Sequence, residues 1–212
     1  MQPLRFDPEA HAYYLGAEQI PGVTAVLQQV TDYRFVPDEV LDRKKAIGSA
    51  LHACIELDHI GELDESTIDP AVAGYFDAWR KFTWDQRAFV LAAAESPMCS
   101  RLYRYGTTPD IWGSMHPDGG SAVPFVLELK STATIMPAVA LQTAAQLQAI
   151  AETVTGDAGT RARWLREGRR FALQLKPTGT YSLREFRDPA DWPTFAALLA
   201  VYRWKRAHNI TI

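Results

Sequence analysis

Asp110, Glu128 and Lys130 are the residues of this chain whose types and spacing could do chemistry. They stand in Pro109-Asp110 and, a short distance on, in Glu128-Leu129-Lys130. Carboxylate oxygens are hard ligands that suit Mg²⁺ or Mn²⁺. A cation held by them can stabilise charge developing on a phosphoryl group and can acidify a water. A lysine beside such a site competes with the cation unless it has a task of its own. Orienting that water, helping to deprotonate it, or neutralising charge would be such a task. The competing reading is an exposed, salt-bridged ladder, because Glu-x-Lys is common on strands.

The elements around these residues must bring them together. Phe125, Leu127 and Leu129 alternate with Val126, Glu128 and Lys130, which predicts a strand. Glu128 and Lys130 then share one face, and the leucines face a core. Leu102 to Trp112 also has strand character. His116-Pro117-Asp118-Gly119-Gly120 is a strong turn signal between the two runs. A hairpin of this kind can set Asp110 beside Glu128 and Lys130.

The two motifs in this order resemble the PD-(D/E)xK nuclease superfamily, and within it the RecB-like and phage-type exonucleases. Members carry a Gly-x-x-x-His helix, a glutamate ahead of the Pro-Asp strand, and a glutamine-bearing helix after the lysine. Here Gly48 and His52, Glu95, and Gln146 match these places. The resemblance implies a mixed central β-sheet flanked by helices, a restriction-endonuclease-like α/β core with an N-terminal helical region. It implies that Asp110, Glu128 and the Leu129 carbonyl hold one or two Mg²⁺ or Mn²⁺ ions, with His52 and Glu95 completing the set. Asp110, Glu128, Lys130 and Gln146 would be catalytic, with Lys130 positioning water. The tyrosine that relatives carry four residues after the glutamine is Ile150 here, a departure that leaves the role of this helix open.

Each match has a bland counterpart. His52 could be a hydrogen-bonded histidine at the border of an apolar face, Glu95 a surface glutamate before a turn, and Gln146 a solvated amide. Ser131 and Thr132 could donate to phosphate, and Arg101 and Arg104 could lie along a DNA groove or simply be solvated. Arg161, Arg163, Arg166, Arg169 and Arg170 form the densest basic run, either phosphate-contacting or solvated.

The remaining chain supplies the scaffold. Leu4 to Leu15 predicts a hairpin and Val23 to Val30 a short helix. A long helix spans Asp38 to Ile60, closed by Gly61, and another begins at Asp69-Pro70 and runs to about Trp84. Arg87 to Ala94 is strand-like, and Pro137 to Val154 is helical. Gly156 to Gly159 reads as a loop. Phe171 to Leu175 and Tyr181 to Phe186 pair across Pro177-Thr178-Gly179-Thr180. Asp188-Pro189 starts a last helix whose Phe195, Leu198, Leu199 and Tyr202 face the sheet.

Composition bounds the answer. The 212 residues, 47% hydrophobic, suit a single nuclease-like domain over 1–212. A formal net charge of -3 excludes a generic polycation, so DNA binding needs local basic patches and metal ions. Two cysteines, Cys54 and Cys99, cannot supply the four ligands of the iron–sulfur cluster found in some relatives. The polar N-terminus is no signal peptide, and no apolar run suits a membrane. The expectation is a cytoplasmic, metal-dependent DNA exonuclease of recombination or repair, with no membrane partner. A homo-oligomer or a single-strand annealing or recombination partner is compatible with it. A catalytically inactive DNA-binding module of the same fold is the alternative, and a chance motif in an unrelated domain is a third.

Overall fold

A computed structural model describes residues 2–31, 37–117 and 120–211. Asp118 and Gly119 of the turn signal lie outside the described residues. Strands β1 (Leu4–Asp7), β2 (Ala12–Leu15) and β3 (Glu18–Ile20) form an antiparallel three-stranded sheet. The expected hairpin thus gains a third strand. Helix α1 (Val23–Leu27) follows, shorter than predicted, and then α2 (Asp38–Ile60). Gly61 ends α2 in the left-handed conformation, with φ 75°, which favours glycine. Helix α3 (Pro70–Asp85) starts as the sequence predicts, with Asp69 accepting from the Ala71 N–H at 2.7 Å and Pro70 in the first turn.

The central sheet holds β4 (Phe89–Ala94), β7 (Ile111–Met115), β8 (Val123–Lys130), β9 (Arg169–Leu175) and β10 (Tyr181–Phe186), in the order β10-β9-β8-β7-β4. Only the β8–β9 pairing is parallel, so the sheet is mixed. Its connection runs through α4 (Ala138–Val154) and α5 (Ala158–Glu167). A separate pair, β5 (Met98–Ser100) and β6 (Tyr105–Thr107), comes between β4 and β7 along the chain. The predicted run from Leu102 to Trp112 is therefore broken: Arg101 to Arg104 form a turn, and Thr108 to Asp110 connect β6 to β7. Helix α6 (Asp191–Ala207) closes the chain.

The sheet is covered on both faces. Phe125, Leu127 and Leu129 of β8 join Leu51 and Ile55 of α2 and Phe76, Trp79 and Phe82 of α3 in the largest core cluster. Val126, on the other face, meets Leu147 and Ile150 of α4. Full burial of such side chains contributes roughly 1.5–3 kcal/mol each. That gain lets β8 carry the buried Glu128, whose desolvation works against folding. The α6 reading needs correction. Phe195 and Leu199 pack on Val23, Val26 and Leu27 of α1, Tyr105, and Ala145 and Ala149 of α4, not on the sheet. Helix α4 already covers that sheet face, so α6 forms an outer layer. Among the described residues no helix is long and apolar enough to cross a membrane.

Candidate metal centre

Sheet register builds the centre. Ile111 pairs with Leu127 across β7 and β8, so Asp110, one residue before β7, stands opposite Glu128. Its Oδ2 accepts the Leu129 N–H at 2.6 Å. The hairpin geometry expected from sequence thus sets Asp110 against the Glu128-Leu129-Lys130 segment. On the other side of β7, β4 contains a register shift between Leu91 and Ala93 and ends opposite Ile111. The next residue, Glu95, donates its N–H to the Asp110 carbonyl at 2.9 Å. Glu95 has φ 44°, the left-handed region that costs a non-glycine residue about 1–2 kcal/mol. This strained turn ends the strand where its carboxylate meets His52 of α2. Glu95 Oε1 lies 2.7 Å from His52 Nδ1, and Asp110 Oδ1 lies 3.7 Å from the same nitrogen.

His52, Glu95 and Asp110 each offer a ligand atom, all within 4.8 Å of one another, and this group could hold a metal ion. Burial pushes the Asp110 carboxyl up to about 8, helped by the like charge of Glu128. Burial opposes the charged form of His52, but the Asp110 charge and the Glu95 hydrogen bond outweigh it and raise the imidazole to about 9. Like charge gathered out of water favours binding a proton or a cation.

Glu128 occupies a neighbouring role. It lies outside the 4.8 Å group, and both of its oxygens have donors. Lys130 Nζ and Gln142 Nε2 reach Oε1, each at 2.7 Å, and Gln146 Nε2 reaches Oε2 at 2.8 Å. Burial opposes its charge, but the Lys130 ammonium and the Gln146 amide hold it below the usual carboxylate range. Gln146 is fully buried, and its Oε1 lacks a hydrogen-bond partner among the described residues. Gln142 was not singled out from sequence for this contact. The signal was there, since Gln142 and Gln146 are four apart on one helical face. Ile150, on the same helix, is buried against Met98, Val126 and Leu147.

Gly48 lies one turn before His52, but the space that its missing Cβ leaves does not border the imidazole. A Cβ there would meet only Ser131 Oγ, at 3.9 Å, which puts Ser131 at the edge of this group of elements. Thr132 is exposed and donates to the Thr134 carbonyl at 2.9 Å, while Gln174 Nε2 pins the Thr132 and Ala133 carbonyls at 2.8 and 2.7 Å.

The arginines divide differently. Arg101 donates to the Gln2 carbonyl at 2.6 Å, and Arg104 pairs with Glu18, so these contacts tie both to the N-terminal segment. In the basic run, Arg163 and Arg166 pair with Glu167, Arg169 with Glu185, and the buried Arg170 with Asp191 at 2.8 Å. Arg170 also donates to the Ala140 and Asp188 carbonyls, at 2.8 and 3.1 Å. Much of that run therefore has structural partners.

No protein-family model matches the chain, and neither does any curated protein.

Proposed function

We propose that the chain is a metal-dependent deoxyribonuclease of the PD-(D/E)xK kind, an exonuclease acting on cytoplasmic DNA in phage-type recombination or repair. The observation that carries this reading is the position of Asp110. Its carboxylate is backed by the Leu129 N–H, grouped with His52 and Glu95, and set opposite the Glu128–Lys130 pair. The resemblance of Gly48/His52, Glu95, Pro109-Asp110, Glu128/Lys130 and Gln146 to the RecB-like and phage-type enzymes adds the substrate and the preference for ends.

The donor set fits a divalent cation. Two carboxylates and an imidazole within 4.8 Å suit Mn²⁺ or Mg²⁺. His52, Glu95 and Asp110 would hold it, and when bound it would supply Lewis-acid stabilisation of phosphoryl charge and acidify a water. The chain's own groups do the rest. The Leu129 N–H fixes the Asp110 carboxylate against rotation. Gln142 and Gln146 fix Glu128, and Glu128 holds the Lys130 ammonium beside the ligand group. Lys130 orients the attacking water for in-line displacement and offsets negative charge as the phosphodiester reacts. Ser131, directly after it, can donate a hydrogen bond to a phosphate oxygen.

Two variants test the reading. Asp110→Ala removes the ligand that links His52, Glu95 and the Leu129 N–H, so release of nucleotides from DNA in Mg²⁺ or Mn²⁺ should disappear. Lys130→Ala leaves Glu128 its two amide donors, so the fold should survive while cleavage falls by roughly 10²–10⁴. Full activity in a folded Lys130→Ala protein would remove the lysine from the mechanism.

A further inference from the structure

A cleft lies between the N-terminal sheet and the last turns of α6. Arg104, Arg203 and Arg206 line it, and Glu18 is the one carboxylate among its lining residues. This is a local excess of positive charge in a chain whose formal net charge is -3.

The arginines are placed there with some cost. Arg104 has φ 53°, and His11, also on the cleft wall, has φ 46°. Together they are two of the four non-glycine residues with positive φ among the described residues, and a third is Glu95 of the metal centre. Such conformations persist where surrounding structure imposes them and gather at functional sites. Arg203 donates to the Tyr103 and Arg104 carbonyls, which fixes its guanidinium against the turn that carries Arg104. Burial and the Arg104 charge hold the Arg203 guanidinium below its usual value. Glu18 pairs with Arg104. Arg206 is exposed, and its side chain makes no ion pair or hydrogen bond among the described residues. Like charges held together with one counter-charge are relieved by an anion, and a planar guanidinium fits a phosphate in bidentate fashion.

The cleft also adjoins the metal centre. Tyr13 forms part of its wall, and the Tyr13 hydroxyl hydrogen-bonds Thr108 Oγ1 at 2.9 Å, two residues before Asp110. The six-residue step from Arg104 to Asp110 spans at most ~20 Å even fully extended. One strand can therefore touch both places.

We propose that this cleft binds the phosphodiester backbone of the nucleic-acid strand whose reacting phosphate lies at His52, Glu95 and Asp110. The proposal rests on the nuclease reading for its substrate. Its chemistry is phosphate recognition by guanidinium groups.

The test is binding, not cleavage. Fluorescent oligonucleotides are titrated into Asp110→Ala protein without divalent metal, at several salt concentrations, with and without Arg206→Gln. Arg206 is exposed and unpaired, so its replacement should leave the melting temperature unchanged. The proposal expects weaker binding of every sequence, by several-fold at low salt, and a slope of log affinity against log salt smaller by about one. Equal affinity and equal slope in the two proteins would overturn it. Loss of inorganic phosphate binding with oligonucleotide binding intact would also overturn it, in favour of a free-anion site. A reduced slope together with a metal-loaded native protein that cleaves no DNA would leave the groove standing and defeat the nuclease reading instead.

Discussion

At the scale of single residues, the chemistry depends on how charge is held out of water. Asp110 and His52 both bind protons more tightly in the folded chain than as free groups, Asp110 up to about 8 and His52 up to about 9. A group with a raised folded pKa adds stability below its unfolded pKa and loses it as pH climbs through the folded value. Both shifts have the same sign, so the metal-free protein should melt at a lower temperature at pH 9 than at pH 6. A divalent cation must displace these protons, so its affinity should rise over the same interval, with proton release on binding. Calorimetry in buffers of different ionisation enthalpy checks this. Affinity that is flat from pH 6 to pH 9 would exclude His52 and Asp110 as ligands. Glu128 differs because Lys130, Gln142 and Gln146 already compensate it. Much of this division was legible in the chain. The Pro-Asp and Glu-x-Lys motifs marked Asp110, Glu128 and Lys130, and the family resemblance marked Gln146. That His52 and Glu95 group with Asp110 while Glu128 stands apart depends on the positions of α2 and β4 relative to β8. No local pattern encodes those positions.

At the scale of elements, the centre is held by close backbone approaches. A Cβ added to Gly106 of β6 would lie 2.1 Å from the Tyr13 ring, so the N-terminal sheet docks there only on a glycine. Gly106→Ala should destabilise the protein by roughly 1–3 kcal/mol, in the range of overpacking. It should also weaken the Tyr13–Thr108 hydrogen bond next to Asp110. Denaturant melts read the first effect, and a change in Tyr13 fluorescence or hydrogen exchange at β6 reads the second. An unchanged melt would mean the sheet can shift without penalty. The elements marked by start and stop residues or by clear alternation, α2, α3, α4 and the β9–β10 hairpin, were legible. Those that escaped gave weaker local signals. β3 is three residues long with two of them exposed, and α5 buries no residue, so its arginines gave only a basic run and Gly156 to Gly159, read as a loop, overlaps its first turn. The run from Leu102 to Trp112 read as one strand because alternation cannot show a turn at Arg101 to Arg104. The partner of α6 was misjudged because an apolar face states that it is covered, not by what.

At the scale of the whole molecule, a mixed sheet sets Asp110, at the entry to β7, opposite Glu128 of β8, and helices from opposite faces deliver the rest. α2 brings His52 from one side, and α4 brings Gln142 and Gln146 from the other. The fold class was legible from the family resemblance, and the order of elements, helices, then strands, a helix and a hairpin, fits it. Overall charge says little about DNA, and the basic groups that matter are local. The central claim is metal-dependent cleavage of DNA from its ends. The most direct measurement compares end-labelled linear DNA with closed circular DNA, in Mg²⁺ or Mn²⁺ and in chelator, for the native chain and Asp110→Ala. The account predicts loss of the linear substrate alone, only with metal and only with the native chain. Persistence of every DNA, single- and double-stranded, under metal saturation would contradict it and favour a binding module with the same fold.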